Sequence, residues 1–148
     1  TFSVISFYPQ NQEVNMKIQI AAVLSTDCYL LSPAKGINSR WAFPKQHTLF
    51  SLRNETDLLL SKDTSLLSLL SEKQHNTDIT YLAEVTPDTL DLIKGLLLYG
   101  LADELYLYIL PEHTGKGILL STLIRLEEWY LVREHPRHII SRIYRKKG

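Results

Sequence analysis

Apolar residues recur along the chain in short β-prone runs and in longer stretches with helical spacing. The β-prone runs predict strands at 17–24, 28–31, 57–60, 78–85 and 105–110, with further strand candidates at 4–8 and 48–52. Ser25-Thr26-Asp27 is a turn signal, so the first two of these strands predict an antiparallel hairpin. Residues 138–144 predict either a last strand or a short helix.

Three segments have the pattern of helices. Thr86-Pro87-Asp88 is the clearest helix start, because a capping Thr is followed by Pro and an acid, and Gly100 is suited to end this helix after Tyr99. Asp63 predicts the cap of a shorter helix over 64–73. A long helix is predicted from about Ile118 to Arg133.

The order of these elements predicts an α/β fold with a mixed sheet. An antiparallel N-terminal hairpin comes first, and a β-α-β-α alternation follows, which favours partly parallel strands. The length of 148 residues is typical of one domain, so we expect residues 1–148 to form a single α/β domain.

Composition excludes several classes of protein. No apolar run is long enough to span a bilayer, and the first residues lack a signal-peptide pattern, so we expect a cytoplasmic protein without a membrane partner. The formal net charge is zero, which gives no global attraction for nucleic acid. Cys28 is the single cysteine, which excludes an internal disulfide, and its apolar surroundings predict a core position.

The most suggestive chemistry lies at a glycine-containing turn after the strand at 105–110. Gly115 and Gly117 let the backbone approach a ligand, Lys116 adds a positive charge, and the predicted helix after them has unpaired amides at its start. This arrangement suits a phosphate or diphosphate. His113, beside the turn, is a candidate base for a substrate bound there.

Residues 105–148 resemble the GCN5-related N-acetyltransferases, through Pro111-Glu112-His113-Thr114-Gly115-Lys116-Gly117-Ile118 and the later Ile143-Tyr144-Arg145-Lys146-Lys147-Gly148. The resemblance implies acetyl-CoA as a cofactor, with its diphosphate on the amides of Thr114, Gly115, Lys116, Gly117 and Ile118. It also implies that Tyr144 is the general acid. The chain departs from the family at Leu119, where a small residue is usual, and in the helix predicted just before the strand at 105–110.

Residues 17–45 are also similar to the opening strands of Nudix domains, through Ala21-Ala22-Val23-Leu24, Cys28-Tyr29-Leu30-Leu31 and Arg40-Trp41-Ala42-Phe43-Pro44-Lys45. The glutamates that bind Mg²⁺ in that family do not follow Lys45. This resemblance therefore implies a degenerate Nudix scaffold. The five histidines include no set with the spacing of a metal site, so we expect no metal.

Two surface features suggest partners. The C-terminal segment is locally basic and could contact nucleic acid phosphates through Arg137, Arg142, Arg145, Lys146 and Lys147. The large aromatic residues Trp41, Phe43, Trp129 and Tyr130 would mark a partner surface if they stay exposed.

Because the chain lacks a complete catalytic constellation, the first functional hypothesis is a non-catalytic protein-interaction or assembly subunit without a cofactor. It would bind a protein partner or a second copy. An acyl-CoA-dependent N-acetyltransferase, or a degenerate relative, is the second hypothesis. A nucleic-acid-binding accessory protein is the third.

Overall fold

A computed structural model describes residues 16–31, 49–75 and 78–147 of the chain. These residues form a mixed sheet of seven strands with helices packed against it, which confirms the predicted α/β class. The strand candidate at 4–8 and the aromatic residues Trp41 and Phe43 lie outside the described residues.

The sheet combines a parallel centre with an antiparallel side. Its strands are β1 (Lys17–Leu24), β2 (Leu30–Leu31), β3 (Leu58–Leu59), β4 (Thr80–Glu84), β5 (Glu104–Ile109), β6 (Trp129–Pro136) and β7 (Ile140–Lys146). The order across the sheet is β3-β4-β1-β5-β7-β6, and β2 pairs with the end of β1. The neighbouring strands β3, β4, β1 and β5 run parallel to one another. Strand β2 runs antiparallel to β1, strand β7 runs antiparallel to β5, and strand β6 runs antiparallel to β7.

Within the described residues, three helices pack against the sheet: α1 (Leu49–Glu55), α2 (Leu66–Lys73) and α3 (Leu90–Leu98). Two of them, α2 and α3, lie close to predicted positions, with one change of cap. Ser65, rather than Asp63, caps α2, because its hydroxyl accepts a hydrogen bond from the Ser68 amide at 3.3 Å. A 3₁₀ turn, Pro87–Thr89, precedes α3, and Gly100 follows the helix with a φ of +65°, which only glycine adopts at little cost.

Strand β1 is buried on both faces of the sheet. Ile18, Ile20 and Ala22 belong to the core cluster that contains α2 and α3 residues, whereas Ala21 and Val23 pack in a second cluster with Leu52 of α1. Burial on both faces is typical of a central parallel strand and explains why β1 is almost continuously apolar. Helices therefore cover the sheet from both sides.

Three predictions from the sequence are wrong. Residues 118–133 form two 3₁₀ turns, Leu120–Thr122 and Leu126–Glu128, and then β6, instead of a long helix. The first part pairs with the chain near β2, since the Leu120 amide donates to the Cys28 carbonyl at 2.9 Å. The second part is rich in aromatic and β-branched residues and pairs with β7.

The other two errors concern residues 48–52 and Cys28. The predicted strand at 48–52 is mostly helical, because α1 begins at Leu49. Cys28 is exposed, with a φ of +68°, at the turn between β1 and β2, so it is not a core residue. Sequence periodicity could not separate these local alternatives, because each segment is short and bounded by a turn.

Candidate functional site

The carboxyl ends of the parallel strands define the edge of the sheet where a ligand is expected. Strands β4 and β5 flank β1, and the connection from β4 through α3 to β5 crosses over β1. In open α/β sheets, ligands bind outside the carboxyl ends of the strands where the strand order reverses. The strand order reverses at β1 in this chain, so this edge is the place to look for a site.

A cavity of about 330 Å³ opens at this edge, at the ends of β3 and β4. Its wall combines three leucines with four polar residues; the lining residues are Arg53, Leu59, Leu60, Leu82, Glu84, Thr86 and Thr89. The volume is near the lower end of the range of roughly 300–1,000 Å³ for small-molecule sites. Apolar walls with a few polar groups are typical of such sites.

An ion pair forms the polar side of the cavity. The Arg53 guanidinium of α1 binds the Glu84 carboxylate of β4 with two hydrogen bonds, one of them from Nη2 to Oε1 at 2.7 Å. The Glu84 hydrogen bond raises the pKa of Arg53, while its partial burial acts in the opposite direction. The cavity wall therefore contains the guanidinium donors of Arg53 and the carboxylate acceptors of Glu84, and the charges of the two side chains cancel.

The turn from β4 to α3 forms the floor of the same cavity. The Thr89 hydroxyl donates to the Glu84 carbonyl at 2.6 Å and accepts from the Thr86 amide at 2.9 Å. The Thr89 amide donates to the Thr86 carbonyl at 3.1 Å, and Pro87 has no amide hydrogen. The turn is therefore held by its own hydrogen bonds, and Asp88 adds negative charge to it.

A second polar cluster lies beyond the end of β1, where Asp27 anchors the loop that follows β5. The Asp27 carboxylate accepts hydrogen bonds from the Gly115 amide at 2.7 Å, from the Thr114 amide at 3.3 Å and from the Ser25 hydroxyl. The Ser25 hydrogen bond and then the Gly115 and Thr114 amides lower the pKa of Asp27 to about 2, although desolvation opposes them. Asp27 is therefore ionised throughout the physiological range.

His113 lies at the open side of this cluster. Its Nε2 atom is 3.5 Å from Asp27 Oδ2, and its side chain is 77% exposed. A carboxylate beside an imidazole can orient the ring, which is the arrangement of a carboxylate–histidine pair. The loops after β1 and β5 thus bring Asp27 and His113 together, and the neighbouring Thr26 amide joins the same loops by donating to the Glu112 carbonyl at 2.7 Å.

The predicted diphosphate turn has the expected glycines but a different environment. Gly115 and Gly117 have φ values of +69° and +115°, so the chain turns there as only glycine does readily. The Thr114 and Gly115 amides donate to Asp27, and Ile118 pairs with the β2 backbone. Lys116 is exposed, and its carbonyl accepts from the Thr114 hydroxyl at 3.2 Å. No helix begins after Gly117, so the helix dipole assumed for this site is absent from residues 118–133.

Tyr144 lies at the other end of β5. It is opposite Leu105 in the β5–β7 pairing, is 8% exposed and belongs to the core under α3. The glycine turn follows the opposite end of the strand, roughly 15 Å further along at 3.3 Å per residue. Tyr144 and the glycine turn therefore do not form one site.

The basic C-terminal residues lie on the β6–β7 hairpin and are largely balanced by local partners. Arg142 pairs with Glu134, Arg145 lies 3.6 Å from Glu104, and Lys146 is 3.1 Å from Glu128. The Lys146 and Lys147 ammonium groups each lie 5.2 Å from an aromatic ring centre, those of Trp129 and Tyr130. Arg137 is exposed in the turn between the two strands. Trp129 is buried, so of the predicted aromatic partner surface only Tyr130 is seen exposed in the described part of the chain.

Comparison with solved structures identifies the fold as that of dihydrofolate reductase and related reductases. A dihydrofolate reductase from Enterococcus faecalis, complexed with NADP(H), has a TM-score of 0.59 at 12% identity, over 89% of this chain and 97% of that one. A diaminohydroxyphosphoribosylaminopyrimidine deaminase/5-amino-6-(5-phosphoribosylamino)uracil reductase from Thermotoga maritima also has a TM-score of 0.59 at 12% identity, over 95% of this chain. RibD from Acinetobacter baumannii has a TM-score of 0.59 at 11% identity, over 91% of this chain.

The last two proteins are longer than this chain and are matched over only part of their length. This chain spans 59% of the length of each. No family profile matches the sequence, and no curated protein sequence matches it. At these identities the likeness establishes the fold alone.

These findings overturn the family resemblances and functional hypotheses drawn from the sequence. The fold is neither that of GCN5-related N-acetyltransferases nor that of Nudix domains, and the structural neighbours are enzymes rather than non-catalytic assembly subunits. The motifs misled because they were short: the glycine turn is a strand connection held by Asp27, and the C-terminal tyrosine segment is a sheet strand. Three of the five basic residues on which the nucleic-acid hypothesis depended, Arg142, Arg145 and Lys146, have acidic neighbours in the same chain.

Sequence reasoning missed four polar residues of the cavity and the anchoring role of Asp27. Glu84 ends a predicted strand and precedes a predicted helix, so the carboxyl-end rule for parallel strands could have identified it. Arg53 had no comparable signal, because it directly follows a segment, 48–52, that was predicted as a strand. Among residues 16–31, 49–75 and 78–147, no group of acids, histidines and Cys28 could hold a metal ion, and no helix is long and apolar enough to cross a membrane.

Proposed function

We propose that this chain is a reductase domain that binds a reduced pyridine nucleotide at the carboxyl edge of its parallel strands and reduces a small heterocyclic compound. The observation that carries the proposal is the cavity of about 330 Å³ at the carboxyl ends of β3 and β4, beside the strand-order reversal at β1, in a fold shared with reductases. The NADP(H) bound by the Enterococcus dihydrofolate reductase and the uracil-type substrate of the Thermotoga enzyme suggest the two ligand classes.

The residues of the cavity fit the nucleoside end of such a cofactor. Leu59, Leu60 and Leu82 offer an apolar wall for a base, and the Glu84 carboxylate offers an acceptor for ribose hydroxyls. The cavity is of nucleoside size and does not enclose a whole dinucleotide. When bound, the cofactor would supply a hydride to the substrate.

The β4–α3 turn contributes little to a diphosphate. Glycines usually let a backbone approach the diphosphate at such a turn, but Val85-Thr86-Pro87 contains none, and its Thr86 amide donates to Thr89. The contacts with the nucleoside should therefore contribute most of the binding free energy of a cofactor, and its diphosphate should lie nearer to solvent.

The Asp27–His113 pair supports the same proposal, because a reduction also consumes a proton. Strands β4 and β5 each neighbour β1, so their carboxyl ends lie roughly 10 Å apart. An exposed imidazole oriented by an ionised carboxylate can donate a proton to a substrate lying across this edge.

The test is binding followed by turnover. Calorimetric titration with NADH and NADPH should give saturable binding. Oxidation of the bound cofactor, followed at 340 nm, should then respond to dihydropterins and ribosylaminopyrimidines offered one at a time. Loss of proton donation typically costs roughly 10²–10⁴-fold in rate, so His113→Asn should lower turnover by at least about a hundredfold.

His75→Asn is the matched control, since His75 is an exposed histidine at the end of α2 whose Nδ1 lies 2.7 Å from the Ser71 carbonyl. It should leave turnover unchanged. A chain that binds neither dinucleotide at millimolar concentration would refute the proposal.

A further inference from the structure

The Arg53–Glu84 pair has a consequence for the kind of nucleotide that the cavity accepts. In doubly wound dinucleotide-binding folds, an arginine accommodates the 2′-phosphate that distinguishes NADP from NAD, whereas an acid binds the free ribose hydroxyls, and the same chemistry applies to these side chains here. Both residue types are present here, and they bind each other. The pair therefore decides between the two ligands.

Glu84 already occupies the Arg53 guanidinium, to which a 2′-phosphate would have to bind. Its side chain is 17% exposed and that of Arg53 is 36% exposed, and two hydrogen bonds join them in a bidentate pair. A 2′-phosphate entering the cavity would have to displace a carboxylate that already neutralises the guanidinium. The phosphate would also lie beside the Glu84 carboxylate, and two negative charges in contact repel strongly in a partly buried site.

The remaining polar groups do not compensate for this repulsion. The Thr89 hydroxyl is already bonded to the backbone of the turn, and Asp88 adds a further negative charge after it. The other wall residues, Leu59, Leu60 and Leu82, are apolar. Among the residues of 16–31, 49–75 and 78–147 that line the cavity, none offers a second cation to a phosphate.

From this geometry we infer that the cavity selects a nucleoside with free ribose hydroxyls, as in NADH and adenosine, and rejects one with a 2′-phosphate, as in NADPH. The inference rests on the proposed function and names the cofactor class for the same site. It departs from the NADP(H) bound by the Enterococcus enzyme.

Isothermal titration of the full chain with four ligands tests the inference without measuring activity. NADH should bind at least about tenfold more tightly than NADPH, and adenosine at least about tenfold more tightly than adenosine 2′-phosphate. Because the β4–α3 turn offers the diphosphate so little, adenosine and NADH should bind within about tenfold of each other.

Glu84→Gln should abolish the preference for NADH, because it removes the repelling charge and releases the guanidinium. NADPH binding should then strengthen by at least about tenfold. Adding Arg53→Gln to this variant should abolish the gain. Glu134→Gln is the matched control: it breaks the Arg142–Glu134 pair on β6 and β7, away from the cavity, and should leave the ratio unchanged. Circular dichroism of each variant checks that it is folded.

The outcomes separate the inference from the function on which it rests. Equal or tighter binding of NADPH by the unaltered chain overturns the inference and leaves the reductase proposal standing. Binding of NADH with no change of preference in Glu84→Gln also overturns it, since Glu84 would not be the selecting group. No binding of any of the four ligands overturns both.

Discussion

Glu104 offers the sharpest test of the register between β1 and β5. It is 6% exposed, and its Oε1 atom accepts hydrogen bonds from Gln19 Nε2 at 2.9 Å and from the Tyr106 hydroxyl at 3.1 Å. Gln19 is its direct partner across the two strands. Lys17 and Arg145 each lie 3.6 Å from Oε2, but both are substantially exposed.

Replacing Glu104 with Leu removes the acceptor of two hydrogen bonds while roughly keeping the volume of the side chain, and Gln19 Nε2 keeps only its longer bond to the Tyr106 hydroxyl at 3.3 Å. A buried donor left without a partner costs about 1–3 kcal/mol, and the two exposed cations add at most about 1 kcal/mol each. Burial of the leucine returns part of this loss. We therefore expect Glu104→Leu to lower the free energy of unfolding by about 3 kcal/mol, which is roughly 6–12 °C in melting temperature for a chain of this length.

Urea unfolding followed by tryptophan fluorescence measures this change, with Gln19→Leu and the double variant alongside. Removing both partners leaves fewer stranded groups than the two single changes together, and Gln19 Oε1 is already buried without a partner. The double variant should thus be at least about 1 kcal/mol more stable than the sum of the single effects predicts. Glu134→Leu, which removes an exposed acid paired with Arg142, is the control and should cost no more than about 1 kcal/mol.

Two results would contradict this reasoning. A cost below about 1 kcal/mol for Glu104→Leu would mean that Glu104 is not the shared acceptor of the buried Gln19 amide and the half-buried Tyr106 hydroxyl. Strict additivity of Gln19→Leu and Glu104→Leu would mean that the two side chains do not meet, and so that the β1–β5 register differs from the one described.

Three further predictions concern other parts of the molecule. Because the pKa of Asp27 is lowered from 3.8 to about 2, its anchoring of the Gly115 amide should persist down to about pH 4 and be lost as the pH falls towards 2; the chemical shift of that amide reports it, and loss already at pH 5 would contradict the assignment. Gly95→Val should destabilise the chain by about 1–3 kcal/mol in urea unfolding, because a Cβ there overlaps the Leu66 side chain; adding Leu66→Ala should recover part of the loss. Thr89→Ala should cost about 1–2 kcal/mol by removing a hydroxyl that bonds two backbone groups of the β4–α3 turn, and Thr89→Ser should restore most of it.

The parts of the fold that local patterns specify were predictable. Strand β1 has the predicted bounds, and the Thr86-Pro87 start and Gly100 stop of α3 are where capping chemistry puts them. Segment 118–133 was not predictable, because its leucines have helical spacing while its conformation depends on pairing with the backbone of residues 28–30 and with β7.

The candidate site was less predictable than the fold for a related reason. Arg53 and Glu84 are 31 residues apart, and only the position of α1 against the sheet joins them. The glycine turn was correctly located as a turn, but the anion that its amides bind is Asp27 of the same chain. The sequence indicates that the backbone amides of the glycine turn can bind an anion. It does not indicate whether that anion is a ligand or a carboxylate of the same chain.

The central position of β1 also affects how the chain emerges during translation. Gln19 meets its partner Glu104 across 85 residues, so the ribosome needs roughly 4–17 s at 5–20 residues per second to synthesise that partner after β1 itself. Until then, one of the most apolar segments of the chain lacks at least one of its two parallel neighbours, since β5 is made after β4. A nascent chain in this state is a natural client for chaperones, and a slow, high-contact-order folding step should follow the completion of β5.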